Sequence, residues 1–388
     1  MNVVFLSPNF PPQYPLFCAA LRAQGAKVLG IGDSPHQALA PLLSQSLDEY
    51  YYVPDMNRAE EMGRALGYFT WRHGRIDRID SLNEYWLDTE ARLREDFNIP
   101  GPRPAEVSRW RSKSGMREIF RSAGVPCTEG ERFVSPEQVR AFARRVGFPL
   151  VFKPDVGVGA AWTFQVSDER ELDETLSREL PVPNYVVERF CRGSLCTYDG
   201  LTDKDGNIVF AVSLAYSSGV MQLVNRASDL HYYTRRVIPP RLEELGKKTV
   251  AAFGLRERFF HIEFFEEPDG DYRALEVNVR PPGGFTTDMV NYTCDFDMYQ
   301  LWARALRGES LAHFAYERKY ACAHIARRHG RAYKHSDEEL RRRLGEALLE
   351  IREVPPVLSG VMGNVMYLAR FREEAEVAEA ARLIQAPP

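Results

Sequence analysis

Residues 261–284 read HIEFFEEPDGDYRALEVNVRPPGG, two stretches of alternating side chains on either side of Asp269-Gly270. An Asp-Gly pair tolerates the positive φ angles of a tight turn, so the spacing predicts a β-hairpin with a two-residue turn centred on that pair. In this register Glu263 faces Glu276 and His261 faces Asn278. Alternation gathers Glu276, Asn278 and Arg280 with His261 and Glu263 on one face and assigns Leu275, Val277 and Val279 to the core. Like charges facing each other across strands, with Cβ atoms about 4.5–5.5 Å apart, are unfavourable. A cation between them turns repulsion into coordination. Glu263, Glu276 and Asn278 make an all-oxygen set suited to Mg2+, which takes one or two carboxylates and completes its shell with water and phosphate oxygens. The competing reading is a solvent-facing charged strand, common in antiparallel sheets. A three- or five-residue turn would break the facing pairs.

Three upstream stretches bear on the same chemistry. In PLVFKPDVGVGAAW, residues 149–162, Lys153 ends an apolar strand. The loop after it holds Gly157, Gly159, Ala160 and Ala161, small residues that let backbone amides approach an anion. Lysine serves phosphate as a point charge, although glycines beside a strand end often make no more than a turn. Lys113, in SKSGMREIF, sits on a basic helix whose ordinary reading is a solvated surface. YVVERFCRG, residues 185–193, runs as a strand to Glu188 and turns at Gly193. It reads either as a hinge whose backbone meets a purine edge or as a strand ending in a salt-bridged glutamate.

The chain has 388 residues, long enough for two or three domains at about 150 residues each. Hydrophobic residues make up 44% and charged residues 27%, as in globular proteins and unlike disordered or fibrous ones. A formal charge of −4 gives no general attraction to nucleic acid or membrane, so no partner of either kind is expected. Six cysteines, at 18, 127, 191, 196, 294 and 322, lack CxxC spacing and read as free thiols of a reducing compartment. No basic leader precedes an apolar run at the start, and no apolar run approaches the ~20 residues that cross a bilayer; the expected setting is cytoplasmic.

A strand, helix, strand rhythm opens the chain with NVVFL, LFCAALRAQG and KVLGIGD, and predicts an N-terminal open, mainly parallel α/β domain over 1–105. Ligands of such sheets gather beyond the carboxyl ends of the strands, which places Ser7–Tyr14, Asp33 and Ser81–Glu84 at a cleft. No GxGxxG follows the first strand, which weighs against a dinucleotide site. IPGPRPAEV marks a boundary. An α+β segment with a linker helix follows over 106–192, then longer strands over 193–310, and an α+β tail over 311–388 in which DEELRRRLGEALLEI reads as one charged helix.

The order Lys113, Lys153 with its small-residue loop, Glu188 at a strand-to-linker junction, then H-x-E and E-x-N-x-R on a hairpin, resembles the ATP-grasp superfamily over residues 1–310. It is most similar to its carboxylate-amine ligases and carbamoyl-phosphate synthase-like members. The resemblance implies an ATP-grasp fold. It implies that Lys113, Lys153, Gly157, Gly159 and His261 contact ATP, with Glu188, Arg189, Phe190 and Cys191 holding the adenine. It implies that Glu263, Glu276 and Asn278 bind Mg2+, or Mn2+ in its place, and that Lys153 and Arg280 are catalytic. Leu195 stands where many relatives carry a ribose-binding glutamate.

The expected activity joins a small carboxylic acid, such as an amino acid, to an amine through an acyl phosphate. Asn83, Glu84, Arg226, Gly283 and Gly284 are the candidate substrate residues, and a homodimer is compatible with this reading. Two alternatives stand beside it: a bicarbonate-using carbamoyl-phosphate synthase-like or carboxylase enzyme, and a non-catalytic nucleotide-binding regulatory protein.

Overall fold

The computed structural model describes residues 1–157, 162–180, 182–217 and 229–388. Gly159, Ala160, Ala161 and Arg226 lie outside the described residues.

The first sheet is parallel, in the order Glu49–Tyr52, Lys27–Gly32, Asn2–Leu6, Arg78–Asp80. Its central strands are apolar on both faces because both faces are covered. Val3, Phe5 and Val28 pack with Phe17 and Trp302 on one side, while Val4, Leu6, Leu29 and Ile31 pack with Met62, Leu66 and Phe69 on the other. The chain moves outward from Asn2–Leu6 through two strands and then returns to its other flank at Arg78–Asp80. That reversal opens a crevice beyond the carboxyl ends of these two neighbours. Ser7–Tyr14 and Ser81–Glu84 border it, joined by the Tyr14 hydroxyl donating to the Leu82 carbonyl; Asp33 ends exposed on the next strand's turn.

A second, antiparallel sheet runs Gly130–Arg132, Tyr185–Arg189, Leu150–Pro154, Phe164–Val166. Helices Pro136–Val146 and Glu169–Leu176, capped by the Ser135 and Asp168 side chains, supply apolar faces to its core. Lys113 does not lie in the middle of a long helix. Ser112 is extended and its hydroxyl accepts from the Gly115 amide, so Pro104–Arg111 ends and a new helix, Lys113–Ser122, begins at the lysine.

Among the described residues nine strands form the third sheet, with Tyr272–Asn278, Phe259–Glu266 and Ser194–Thr202 side by side. Strands from beyond residue 310, Ala321–Arg327, Val365–Phe371 and Leu348–Glu353, continue this same sheet past His231–Thr234. The helix expected through Ile351 stops at Leu344; Gly345 takes φ +53, and the residues after it pair as an edge strand instead. The mixture of a parallel α/β sheet with antiparallel α+β sheets is the fold class expected.

The hairpin differs from its expected form in two places whose effects cancel. Its loop is three residues, Pro268-Asp269-Gly270, closed by Gly270 N donating to Glu267 O at 2.9 Å with Gly270 at φ +84. This shifts the pairing by one residue relative to a two-residue turn. A bulge at Leu275 shifts it back, so Phe264 pairs with Ala274 but Glu263 with Glu276 and His261 with Asn278. Leu275, expected in the core, is the extra residue and lies half-buried outside it, while Val277 and Val279 join Ala274 inside.

Helix Pro240–Phe253 covers the back of this sheet, and at Gly246 it meets the Tyr198 ring with no room for a Cβ. Alanine in place of an exposed helical glycine gains about 1 kcal/mol. Here Gly246→Ala is expected to lose about 1–3 kcal/mol through overpacking, measured by urea unfolding; equal or greater stability would contradict this packing.

Candidate functional site

Three adjacent strands set out the site as a grid. Thr197, Glu263 and Glu276 lie in one row, and Asp199, His261 and Asn278 in the next. Directly paired residues project from the same face, so all six polar side chains share it. The opposite face is core, with Cys196, Tyr198, Ile262, Phe264 and Val277. Beyond the first row come Leu195 and Phe265, an apolar end to the polar field.

His261 sits between two carboxylates. Its Nδ1 bonds Asp199 Oδ1 at 2.6 Å and its Nε2 lies 3.3 Å from Glu263 Oε1, an arrangement that favours the imidazolium. Burial is the largest influence and opposes that charge, but Asp199 and Glu263 together outweigh it and the pKa is pushed up to about 9. Asp199 is held in turn by the Thr197 hydroxyl, which accepts from the Leu214 amide at 3.0 Å. The two facing carboxylates respond oppositely. Burial raises the Glu263 pKa, yet His261, Arg280 and Lys153 together bring it below the ordinary range. Burial and the facing Glu263 raise that of Glu276, against the pull of Lys113 and Lys153. The two facing carboxyls supply oxygen donors of the kind a hard divalent cation takes.

Cations converge from the second sheet and its linker helix. Lys113 and Lys153 are both buried. Lys113 Nζ donates to Gly157 O at 3.1 Å and lies 3.9 Å from Glu276 Oε2. Lys153 Nζ is 2.8 Å from Glu188 Oε2, and Arg117 binds the other Glu188 oxygen. Burial raises the Glu188 pKa, but Lys153 and Arg117 more than reverse this. Gly130, opposite Glu188, leaves the space these side chains occupy: a Cβ there would lie 2.6 Å from Glu188 Cγ. Along the linker, Arg189 N donates to Glu129 O at 2.9 Å and Phe190 N to Pro149 O at 3.0 Å, while the Arg189 side chain is exposed and pairs with Glu129. Cys191 is half-buried, its thiol pushed up to about 11 by burial.

The third wall comes from the parallel domain. Arg280 Nε lies 3.7 Å from Glu84 Oε2, and its Nη1 donates to Pro281 O at 2.9 Å. Glu84 is buried, and Oε2 finds no hydrogen bond among the described residues. Burial raises its pKa, opposed by Arg280 and reinforced by Glu276. Asn83 serves as a cap, its Oδ1 accepting from Tyr85 N at 3.1 Å. Gly283 O accepts from the Thr286 hydroxyl at 2.8 Å, and Gly284 O from Gln13 Nε2 at 2.8 Å, tying the segment after the hairpin to the crevice of the first sheet.

No protein-family model matches the chain. It is 21% identical over 308 residues to "Carbamoyl phosphate synthase large chain, C-terminal section" of Methanopyrus kandleri, covering 75% of this chain and 54% of that one. The chain thus spans about half the length of that curated relative. Among solved structures it is similar to the L-amino acid ligase of Bacillus licheniformis, with a TM-score of 0.76, 19% identity, and coverage of 98% of this chain and 96% of that one. The biotin carboxylase domain of the Hydrogenobacter thermophilus 2-oxoglutarate carboxylase, in complex with MgADP and bicarbonate, gives a TM-score of 0.69 at 16% identity, covering 96% and 86%. The chain has the ATP-grasp fold.

Within this fold, sequence reasoning did not single out Thr197, Asp199 or Arg117. The first two carried a signal, polar residues two apart inside the almost wholly buried strand SLCTYDGLT. Arg117 stands four residues after Lys113, one turn along the same helix face.

A raised His261 pKa stabilises the folded state fully below the ordinary imidazole value and loses that contribution as pH climbs through about 9. The contribution is at most about 3 kcal/mol. Urea unfolding across pH 6–10 is expected to show stability draining above pH 6.5, with a shallower decline in Asp199→Asn; equal slopes would contradict the pairing.

Proposed function

We propose that the protein is an ATP- and Mg2+-dependent ligase that activates a small carboxylic acid carrying an amino group as an acyl phosphate for attack by an amine. The observation that carries this reading is the meeting of three cations, Lys113, Lys153 and Arg280, with the facing Glu263 and Glu276. A polyphosphate together with a divalent ion satisfies both sets of charge at once. Glu263, Glu276 and Asn278 would hold Mg2+, or Mn2+ in its place, and the ion supplies neutralisation of phosphate charge.

Each other role falls to a side chain of this protein. Lys113 and Lys153 balance the phosphates as point charges. Because Glu188 is committed to Lys153 and Arg117, it orients Lys153, and adenine is read by the linker backbone from Cys191 onward. His261 holds Glu263 ionised and turned to the metal side. Arg280 faces the transferring group. In the first step a substrate carboxylate oxygen attacks the γ-phosphorus and the β–γ bridge breaks, releasing ADP. The amine then attacks the acyl carbon, the C–O bond to phosphate breaks, and the nitrogen gives up a proton. Such chemistry needs position and charge more than covalent help.

Glu84 supports the choice of acid. A buried carboxylate whose Oε2 has no hydrogen bond among the described residues, close to Arg280, suits a substrate ammonium, which bicarbonate lacks. The likeness to an L-amino acid ligase agrees with this. The Hydrogenobacter domain was crystallised as a dimer, which supports a homodimer here. Six free thiols support a reducing, cytoplasmic setting.

The test is a screen of acids with ATP, Mg2+ and hydroxylamine as trapping amine. Hydroxamate and ADP are expected with amino acids, and Arg280→Met should cut the rate on the order of 100-fold. ADP formation stimulated by bicarbonate alone would transfer the protein to carboxylase-type chemistry, and nucleotide binding with no turnover on any acid would make it a non-catalytic binder.

A further inference from the structure

Away from the side chains that face the cleft, four ionisable groups are sealed at the joint between the parallel sheet and the hairpin. Asp80, Glu90, Arg94 and Arg258 are each 5% exposed or less. Arg258, the residue before strand Phe259–Glu266, sets Nη1 2.7 Å from Asp80 Oδ2 and 3.6 Å from Glu90 Oε2. Arg94 Nη2 lies 2.6 Å from the same Glu90 oxygen and donates to Ile79 O at 2.6 Å. Two carboxylates and two guanidiniums balance one another.

The remaining carboxylate oxygens hold backbone. Asp80 Oδ1 accepts from Leu82 N at 2.9 Å, and Glu90 Oε1 accepts from Ser81 N at 2.7 Å and from the Ser81 hydroxyl. The Ser81 hydroxyl also lies 3.1 Å from Asn83 O. Leu82 takes φ +53, in the left-handed region that a leucine seldom adopts. Such a conformation persists where its surroundings over-determine it. Buried ion pairs seldom add stability over apolar packing of the same volume, so stability alone does not account for four charges here.

We infer that Asp80, Glu90, Arg94 and Arg258 form a positioning device that fixes the loop Ser81–Glu84 to the hairpin and thereby sets Glu84 against Arg280. Arg258 immediately precedes one strand of that hairpin and Arg280 follows the other; Glu84 is carried by the clamped loop. The network, which touches no reacting atom, governs the preference for acids that bear an amino group. This rests on the reading of Glu84 as the receptor of a substrate ammonium.

Ser81→Ala removes the hydroxyl's contacts with Glu90, Asn83 O and Asn83 N with all four charges left paired, and Arg258→Lys keeps the charge while losing the fork. Each is compared with Glu84→Gln in the hydroxylamine-trapped reaction. The probes are L-alanine, L-leucine and L-phenylalanine, each against its des-amino acid, with KM for ATP and thermal unfolding measured alongside. Both variants should lower kcat/KM for the amino acids about 10-fold or more, and leave the des-amino acids and the KM for ATP unchanged. Ser81→Ala combined with Glu84→Gln should be no worse than Glu84→Gln alone. If Glu84→Gln abolishes the preference but Ser81→Ala leaves it intact, the positioning role is overturned and the reading of Glu84 stands; Ser81→Ala decides the matter even where Arg258→Lys unfolds. Equal losses for both acid classes also overturn it. No preference for amino acids in the unaltered protein overturns both.

Discussion

Two carboxylates held side by side on neighbouring strands are the constraint around which the site is arranged. Glu263 and Glu276 cannot separate, because their backbones are paired and the core lies behind them. Their charge is managed instead by what surrounds them. An imidazolium braced by Asp199 favours ionisation of one, while burial and proximity penalise the other. The pair therefore keeps an appetite for a further positive charge that the lysines above it satisfy in part. On the function proposed, a divalent ion would complete it and would bring phosphate to the lysines.

Most buried charge in this chain is spent on geometry. Glu188 does not face solvent at a domain edge but fixes Lys153 from below and ties Arg117 to the same sheet. Asp199 fixes His261, which fixes Glu263. Breaking any one such pair strands its partner in a poor dielectric, at a cost of about 3–5 kcal/mol. The price of this arrangement is stability that apolar packing could have supplied, and the return is side chains with few alternative rotamers around the reacting groups.

Much of this was legible in the sequence, and for a definite reason. The hairpin's polar face alternates with period two, and that period survives in the structure because a longer turn and a bulge at Leu275 shift the register in opposite senses. The facing of Glu263 and Glu276 was thus read correctly from a turn that does not exist. Leu275 shows the cost, since local alternation assigned it to the core that the bulge denies it. The parallel sheet was plain from its apolar runs. Less was visible where meaning depends on tertiary pairing. Glu188 gave no sign of which cations it meets, because Lys153 and Arg117 approach from a neighbouring strand and a separate helix. LLEIRE resembled the end of a helix until the strand Val365–Phe371 lay beside it. Nothing local marks Arg258 as the partner of Asp80, far away in the chain.

The central claim is that the facing carboxylates grip a divalent ion that in turn grips nucleotide. Isothermal calorimetry of ADP binding, with and without Mg2+, on the unaltered protein and on Glu263→Gln and Glu276→Gln, tests it most directly. Mg2+ is expected to tighten ADP binding at least 10-fold in the unaltered protein, a coupling of about 1.4 kcal/mol, and either substitution to remove most of the gain. ADP affinity indifferent to Mg2+, or equally responsive in all three proteins, would contradict it.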